Sequence, residues 1–387
     1  MPSHPSTRGI LSGRNRFLWV GLGAIAILAG ISWGYHKLFH SPTNTTVLDS
    51  RPKAQNALSS APGLPSPSAS LNKLKPPSVK LAYTLTEDSS SLHSIVISPD
   101  GKNLISSSDF SNVKVWNLGN SCTGTACNTP QRILPMYALW SYSVAVSPDS
   151  KIVASGSWKD LKIWNLNSGE LIKNISGHLG AVYSVVFNPQ GQTFATGASD
   201  DQVKIWNLET GKLLHTLSGH SDSVRALTFS PDGKTLVSSG LDKVIKIWNV
   251  GSGCTGESCI SESNNLSGHT AYISSLAISP NGKTLVSGSA DQTIKVWNLQ
   301  TGELNRTISG HSAAVLSVAI NPEGTMLASA STDKSIKLWQ LNSGELLNTI
   351  TGHSELVSSV AFSPDGRKLV SASKDKTIKV WQIEPAK

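Results

Sequence analysis

Histidine, aspartate and a hydroxyl residue recur along this chain at fixed separations, the residue types that build proton relays and metal sites. There are five such sets: His178 with Thr196 and Asp200, His220 with Ser238 and Asp242, His269 with Ser287 and Asp291, His311 with Ser329 and Asp333, and His353 with Ser371 and Asp375. Each histidine follows a glycine, and each set ends on a tryptophan: Trp206, Trp248, Trp297, Trp339 and Trp381. A nucleophilic triad needs one special constellation, so equivalent copies argue for a framework role. The other reactive groups are two close cysteine pairs, Cys122 with Cys127 and Cys254 with Cys259. Four thiolates together hold zinc, and thiols in pairs form disulfides. Which chemistry applies depends on the elements that carry these residues.

The tryptophans set the period. Trp116, Trp164, Trp206, Trp248, Trp297, Trp339 and Trp381 each follow a β-branched residue or Leu, with Lys two positions back, at spacings of 48, 42, 42, 49, 42 and 42. Between them, alternating runs such as Leu276-Ala277-Ile278 and Ile294-Lys295-Val296-Trp297 read as half-buried strands. Ser230-Pro231-Asp232-Gly233 and Ser363-Pro364-Asp365-Gly366 place Pro and Gly where a type I turn takes them. Four short strands in a unit of about 42 residues is the blade pattern of a β-propeller.

These repeats resemble the WD-repeat (WD40) propeller family, with Trp-Asn or Trp-Gln in most units where the family has Trp-Asp, and their style looks bacterial, particularly cyanobacterial. The resemblance covers about residues 80–384. It implies an all-β, seven-bladed β-propeller, in which the five Asp, His, Ser/Thr and Trp sets are buried hydrogen-bond chains locking their blades. The first two units depart from the pattern: Asp88 and Tyr137 stand where the histidine belongs, and the Asp turn is displaced to Asp109 or shortened between Ser157 and Trp164. After Trp381 too little chain remains for an outer strand, whereas Lys80–Thr86 matches Lys212–Ser218, so this N-terminal segment is expected to complete the last blade. In such a ring the cysteine pairs fall in blades one and four, too far apart for one tetrahedral site; two local disulfides are the expectation, with reduced surface cysteines as the alternative.

The resemblance also implies a contact face at the Gly-His loops. Carried over position by position, it comprises Trp140, Tyr142, Trp158 and Tyr183, extended by Arg225, Leu241, Tyr272, Leu316, Leu356 and Lys374. For Trp140 and Trp158 a competing role is to fill the space left by the missing histidine of blade two.

Upstream of the repeats, 17–35 is an uncharged apolar run bracketed by Trp19 and Trp33, long enough to span a bilayer as one transmembrane α-helix. Arg8, Arg14 and Arg16 precede it, so the basic tail 1–16 is expected to stay in the cytoplasm and the propeller to be exported. A cleaved signal peptide competes with this signal anchor, and it too would export the chain. The Ser/Pro-rich stretch 36–79 reads as a flexible linker, leaving 80–387 as the propeller. An oxidising compartment on the far side agrees with the expected disulfides.

The formal charge of +8 is uneven: residues 1–79 carry eight basic groups against one acid, leaving 25 against 24 for the remainder. A near-neutral propeller lacks the footprint of phosphate binding, so no nucleic-acid partner is expected. Neither a cofactor nor a metal is implied, and no motif indicates an enzyme. The expectation is a membrane-anchored protein or peptide interaction scaffold, with an extracytoplasmic carbohydrate or envelope-polymer binder as the alternative.

Overall fold

The computed structural model describes residues 76–86, 90–109, 112–119, 128–136, 140–251 and 260–384. The expected membrane span 17–35, the linker up to residue 75, Asp88, Tyr137 and all four cysteines lie outside them, so neither the anchor nor the disulfides are described. The described residues form 27 strands and no helix.

Within a repeat the strands differ in burial, and the sequence explains why. In the fourth repeat the second and third strands, Thr235–Gly240 and Ile245–Asn249, are buried almost throughout, because neighbouring repeats cover both faces. The outermost strand, such as Leu346–Ile350 in the sixth, is mostly open and carries polar residues. Seven apolar clusters make up the core, each lying between two successive repeats and each containing one framework tryptophan. No blade has a core of its own, so stability is a property of neighbours.

The innermost strands are Leu92–Ile97, Ser143–Val146, the inner end of Leu171–Phe187, Val224–Phe229, Ile273–Ile278, Val315–Ile320 and Val357–Phe362. Each touches the next, and the last touches the first, so the ring is closed. Closure is made where the sequence placed it. Ser78–Thr86 pairs antiparallel with Thr377–Glu384, setting Leu85 opposite Ile378, and Leu85 is fully buried. This strand covers an edge that would otherwise be open to pairing.

The sheets are not seven separate units, as the repeats suggest. Five are four-stranded, while one has seven strands because Leu171–Phe187 runs unbroken through the second and third repeats. Its first part pairs with Trp158–Asn165 and its second with Thr193–Ala198. The cause is the shortened turn of the second repeat. With a residue missing there, strand Trp158–Asn165 reaches Ala181 through Trp158, across the place where other repeats break at Gly-His.

Small groups stitch the ring near its axis. Ser184, Ser275, Ser317 and Ser359 each accept a hydrogen bond from a backbone N–H of the next inner strand, those of Leu227, Val318, Val360 and Ile95, at 3.0–3.3 Å. The matching position in the fourth repeat is Ala226, which has no hydroxyl. In the second it is Ser143, whose buried Oγ has no partner. Among the described residues, four of the seven seams therefore carry this bond.

Candidate functional site

The five recurrent sets assemble as hydrogen-bond chains. In the fifth repeat the Trp297 indole N–H donates to Ser287 Oγ at 2.9 Å, Ser287 meets His269 Nε2 at 2.8 Å, and His269 Nδ1 meets Asp291 at 2.8 Å. The same connections hold for Trp206, Thr196, His178 and Asp200, and for Trp248, Ser238, His220 and Asp242. They recur for Trp339, Ser329, His311 and Asp333, and for Trp381, Ser371, His353 and Asp375. Each Asp also accepts the backbone N–H of the residue after its histidine.

One proton arrangement satisfies every group: indole N–H to hydroxyl oxygen, hydroxyl O–H to a neutral imidazole, and Nδ1–H to carboxylate. Burial pushes His178, His269, His311 and His353 below the ordinary imidazole range, although the carboxylates pull the other way. Burial also works to raise Asp291. The Thr293 hydroxyl, the Thr270 N–H and His269 outweigh it and bring that carboxyl down to about 2. All five hydroxyl residues are completely buried, each already held between an indole and an imidazole. A serine in that position is a structural link, with no face open to a substrate.

The glycine before the histidine has a steric reason where the indole reaches it, as at Gly177, Gly310 and Gly352. Gly310 lies at φ +153°, and a Cβ there would sit 2.8 Å from the rim of the Trp339 ring. The indole packs where a side chain would otherwise be.

The first two repeats depart in different ways. Trp116 still donates to Ser106 at 2.9 Å, but Asp109 pairs instead with His93 of the innermost strand at 2.5 Å. The Asp109–His93 contact was not anticipated, because His93 stands nowhere near a Gly-His position. In the second repeat Ser155 bonds to Ser141 at 2.7 Å, and the buried Trp164 Nε1 has no partner. Ser155 still lies opposite Lys162 and Val153 opposite Trp164, the pairing of the regular repeats, so the chain breaks here without a change of register.

What the irregular repeats offer is found at a β-bulge. Six of the seven innermost strands described carry an extra residue where the pairing register shifts, the device by which a strand re-aims a side chain. The bulge residues are His93, Tyr183, Arg225, Ser274, Leu316 and Ser358, and Tyr142 holds the matching position in the second repeat. From the first repeat to the fourth they touch one another. His93 and Tyr142 have ring centroids 6.0 Å apart, Tyr142 and Tyr183 meet edge-on at 5.2 Å, and the Arg225 guanidinium lies 3.8 Å above Tyr183. Trp140 stacks beside Tyr142 at 6.4 Å and makes a β-bridge to Asp109. In the other three repeats the series closes down: Ser274 donates to the Val315 and Gly288 carbonyls, and Ser358 donates to that of Ala372.

Of the sequence-derived contact residues, the structure brings Trp140, Tyr142, Tyr183 and Arg225 into one cluster. Trp158 stands apart at 56% exposed, which answers the space-filling reading for that residue. Beside it Leu179 is 80% exposed. Tyr272 and Lys374 are exposed and Leu241, Leu316 and Leu356 half-buried. Within the described residues no ring contact or hydrogen bond joins these five to the cluster. The fivefold repetition hid His93 as the partner of Asp109, the displaced turn Asp; the signal for it was a lone His in a repeat that lacks the regular one. A cavity of about 770 Å³ opens among the Ser-Pro-Asp turns of the seventh, first and second repeats, where Asp100 and Asp149 already face Lys102 and Lys151.

Comparison with known proteins agrees with this geometry. The family model "WD domain, G-beta repeat" matches seven times, at residues 79–117, 132–165, 169–207, 211–249, 259–298, 302–340 and 344–382. Among curated proteins, the chain is 30% identical to Protein groucho of Drosophila melanogaster over 29% of this chain and 15% of that protein. It is 46% identical to an uncharacterized WD repeat-containing protein of Synechocystis over 14% and 16% of the two chains. It is 31% identical to a Chromatin assembly factor 1 subunit FAS2 homolog of Oryza sativa over 33% and 25%. The matched segments thus span a quarter or less of these relatives. Seven family matches over most of the chain, on a ring closed by its own N-terminal strand, place this protein in the WD-repeat family.

Proposed function

We propose that this propeller is a platform for capturing a protein or peptide partner, held at a membrane by residues 17–35, with its contact surface at the Gly-His-loop end of the first four repeats. The observation that carries the reading is the run His93, Tyr142, Tyr183, Arg225, with Trp140 beside it. At equivalent positions the rest of the ring has Ser274, Leu316 and Ser358. Tyr, Trp and Arg are the residue types enriched at interface hot spots, because they bury large areas at little conformational cost. A WD-repeat propeller is suited to protein–protein interaction, and the partner's identity and the membrane tether are the proposal's own additions. The tether rests on the apolar run and its basic flank, and it puts the propeller on the extracytoplasmic side.

Crosslinking in native membranes followed by pull-down tests the reading. Trp140→Ala combined with Tyr142→Ala should abolish partner capture while the melting temperature stays within a few degrees of the parent. Unchanged capture removes the surface from consideration. Protease protection of the propeller in sealed membranes tests the orientation. The exposure of Trp158 favours a second reading, stacking on a sugar ring of an envelope polymer; retention on a glycan array, lost in Trp158→Ala, would select it.

A further inference from the structure

Arg225 stands in an unusual electrostatic position. Among the described residues no hydrogen bond or ion pair reaches its guanidinium, and its Nε is buried without a partner. Its one neighbour of note is the Tyr183 ring, stacked at 3.8 Å. Half-buried Arg225 is a cation partly withdrawn from water without a counter-charge, a cost that a ligand supplying the missing charge relieves. Contact with the ring restrains the guanidinium, whose planar fork of donors suits a planar anion. The hydroxyls of Tyr142 and Tyr183 also have no hydrogen-bond partner among the described residues. Burial, with Tyr183 and Asp109 beside it, pushes the Tyr142 hydroxyl up to about 12 against the pull of Arg225. That hydroxyl therefore keeps its proton and remains a donor.

We infer that Arg225, with the Tyr142 and Tyr183 hydroxyls, receives one carboxylate side chain, aspartate or glutamate, from the peptide bound at the platform proposed above. The inference rests on that reading and gives its partner a chemistry. A planar carboxylate matches the guanidinium fork. A phosphate dianion fits less well, since the cluster holds one unpaired cation and Asp109 adds negative charge that Tyr142 feels. The bulge series continues past Arg225 through Ser274 and Leu316, so a bound chain has surface on both sides of the arginine. That arrangement suits an internal residue better than a chain end. Arg306 supplies an internal control: its Nε is also buried without a partner, but on the outer strand Leu304–Ile308, away from this cluster.

The test is an array of capped octapeptides probed with the full-length chain. Matched sets carry a glutamate, a glutamine in its place, a phosphoserine in its place, or a free terminal carboxylate instead. The glutamate set should be retained roughly ten- to a hundredfold better than the glutamine set, the range expected of a charge-assisted hydrogen bond. Arg225→Ala should erase that preference and Arg306→Ala should leave it intact. Arg225→Met, which keeps apolar contact with Tyr183, separates loss of charge from loss of packing and should behave as Arg225→Ala. Equal retention of the glutamate and glutamine sets overturns the inference while leaving the platform standing. Stronger retention of phosphoserine or of the free terminus overturns the choice of ligand. Retention of no peptide from any set overturns the platform as well.

Discussion

The ring has a regular arc and an irregular one. In the third to seventh repeats each tryptophan, hydroxyl, imidazole and carboxylate finds its partner, and what remains for the bulge position is a serine bonded to a carbonyl, a leucine, or the beginning of the aromatic run. In the first two repeats the chains are broken, and histidine, aspartate and aromatic groups that a regular blade would bury stand near the axis. A fully satisfied network fixes a blade and occupies its own polar groups, so what the third and fourth repeats add to the contact run, Tyr183 and Arg225, stands outside the network at the bulge. Where the network lapses, polar and aromatic groups become available, and they are the groups expected of a contact surface. The continuous strand Leu171–Phe187 lies at the junction of the two arcs and holds the second and third repeats in one sheet.

The largest effect should come from opening the ring, which both arcs need. Deleting residues 78–86 exposes the edge Thr377–Glu384 and removes the fully buried Leu85. The loss should exceed the roughly 2–5 kcal/mol of a single buried leucine truncation, as measured by urea unfolding. An unchanged midpoint would contradict closure by this strand. Next comes a matched pair of substitutions. Ser287→Ala leaves both an indole N–H and an imidazole nitrogen unpaired, at about 1–3 kcal/mol each. Ser155→Ala leaves only the Ser141 hydroxyl and should cost about half as much. Equal costs would erase the distinction between the arcs.

Acid should act on the regular arc. His178, His269, His311 and His353 have folded-state pKa values lowered by burial, so the unfolded chain takes up protons first as pH falls. Stability is therefore highest above the unfolded value of about 6.5 and declines below it. Asp291 and Asp333, held down to about 2, add stability that is present above the unfolded carboxylate range and is lost as pH drops toward 2. Both contributions have the same sign. The melting temperature should fall steadily from pH 7 to pH 5. A melting temperature independent of pH over this range would mean the imidazoles are not buried neutral.

How much of this was open to the sequence follows from repetition. The hydrogen-bond chains could be named residue by residue because the family resemblance implies them and five copies hold its register, and ring closure could be read from the match between Lys80–Thr86 and Lys212–Ser218. Single events were harder. The merged sheet follows from one residue missing before Trp164, an effect that appears only when strand registers are compared across the turn. The His93–Asp109 pair joins two strands whose proximity no local pattern states. Trp158 could be listed as a contact residue but not weighed against a core role, since exposure depends on that same merged sheet.

The smallest effect tests the turn that follows each carboxylate. Asp201, Lys243, Gln292, Lys334 and Lys376 all sit at φ between +62° and +71°, the left-handed region that a side chain enters at a cost of about 1 kcal/mol. The preceding Asp fixes this conformation by accepting the N–H two residues on, as Asp242 does from Val244 at 3.2 Å. Replacing exposed Lys243 with glycine removes the strain but gives the unfolded chain more freedom, so the net gain should be a few tenths of a kcal/mol and at most about 1. Lys159 has the same backbone sign at φ +67° in the shortened turn, without a chain of this kind behind it. If Lys159→Gly stabilises as much as Lys243→Gly, the strain belongs to the turn alone; a gain confined to Lys243→Gly would show that the carboxylate chain is what imposes it.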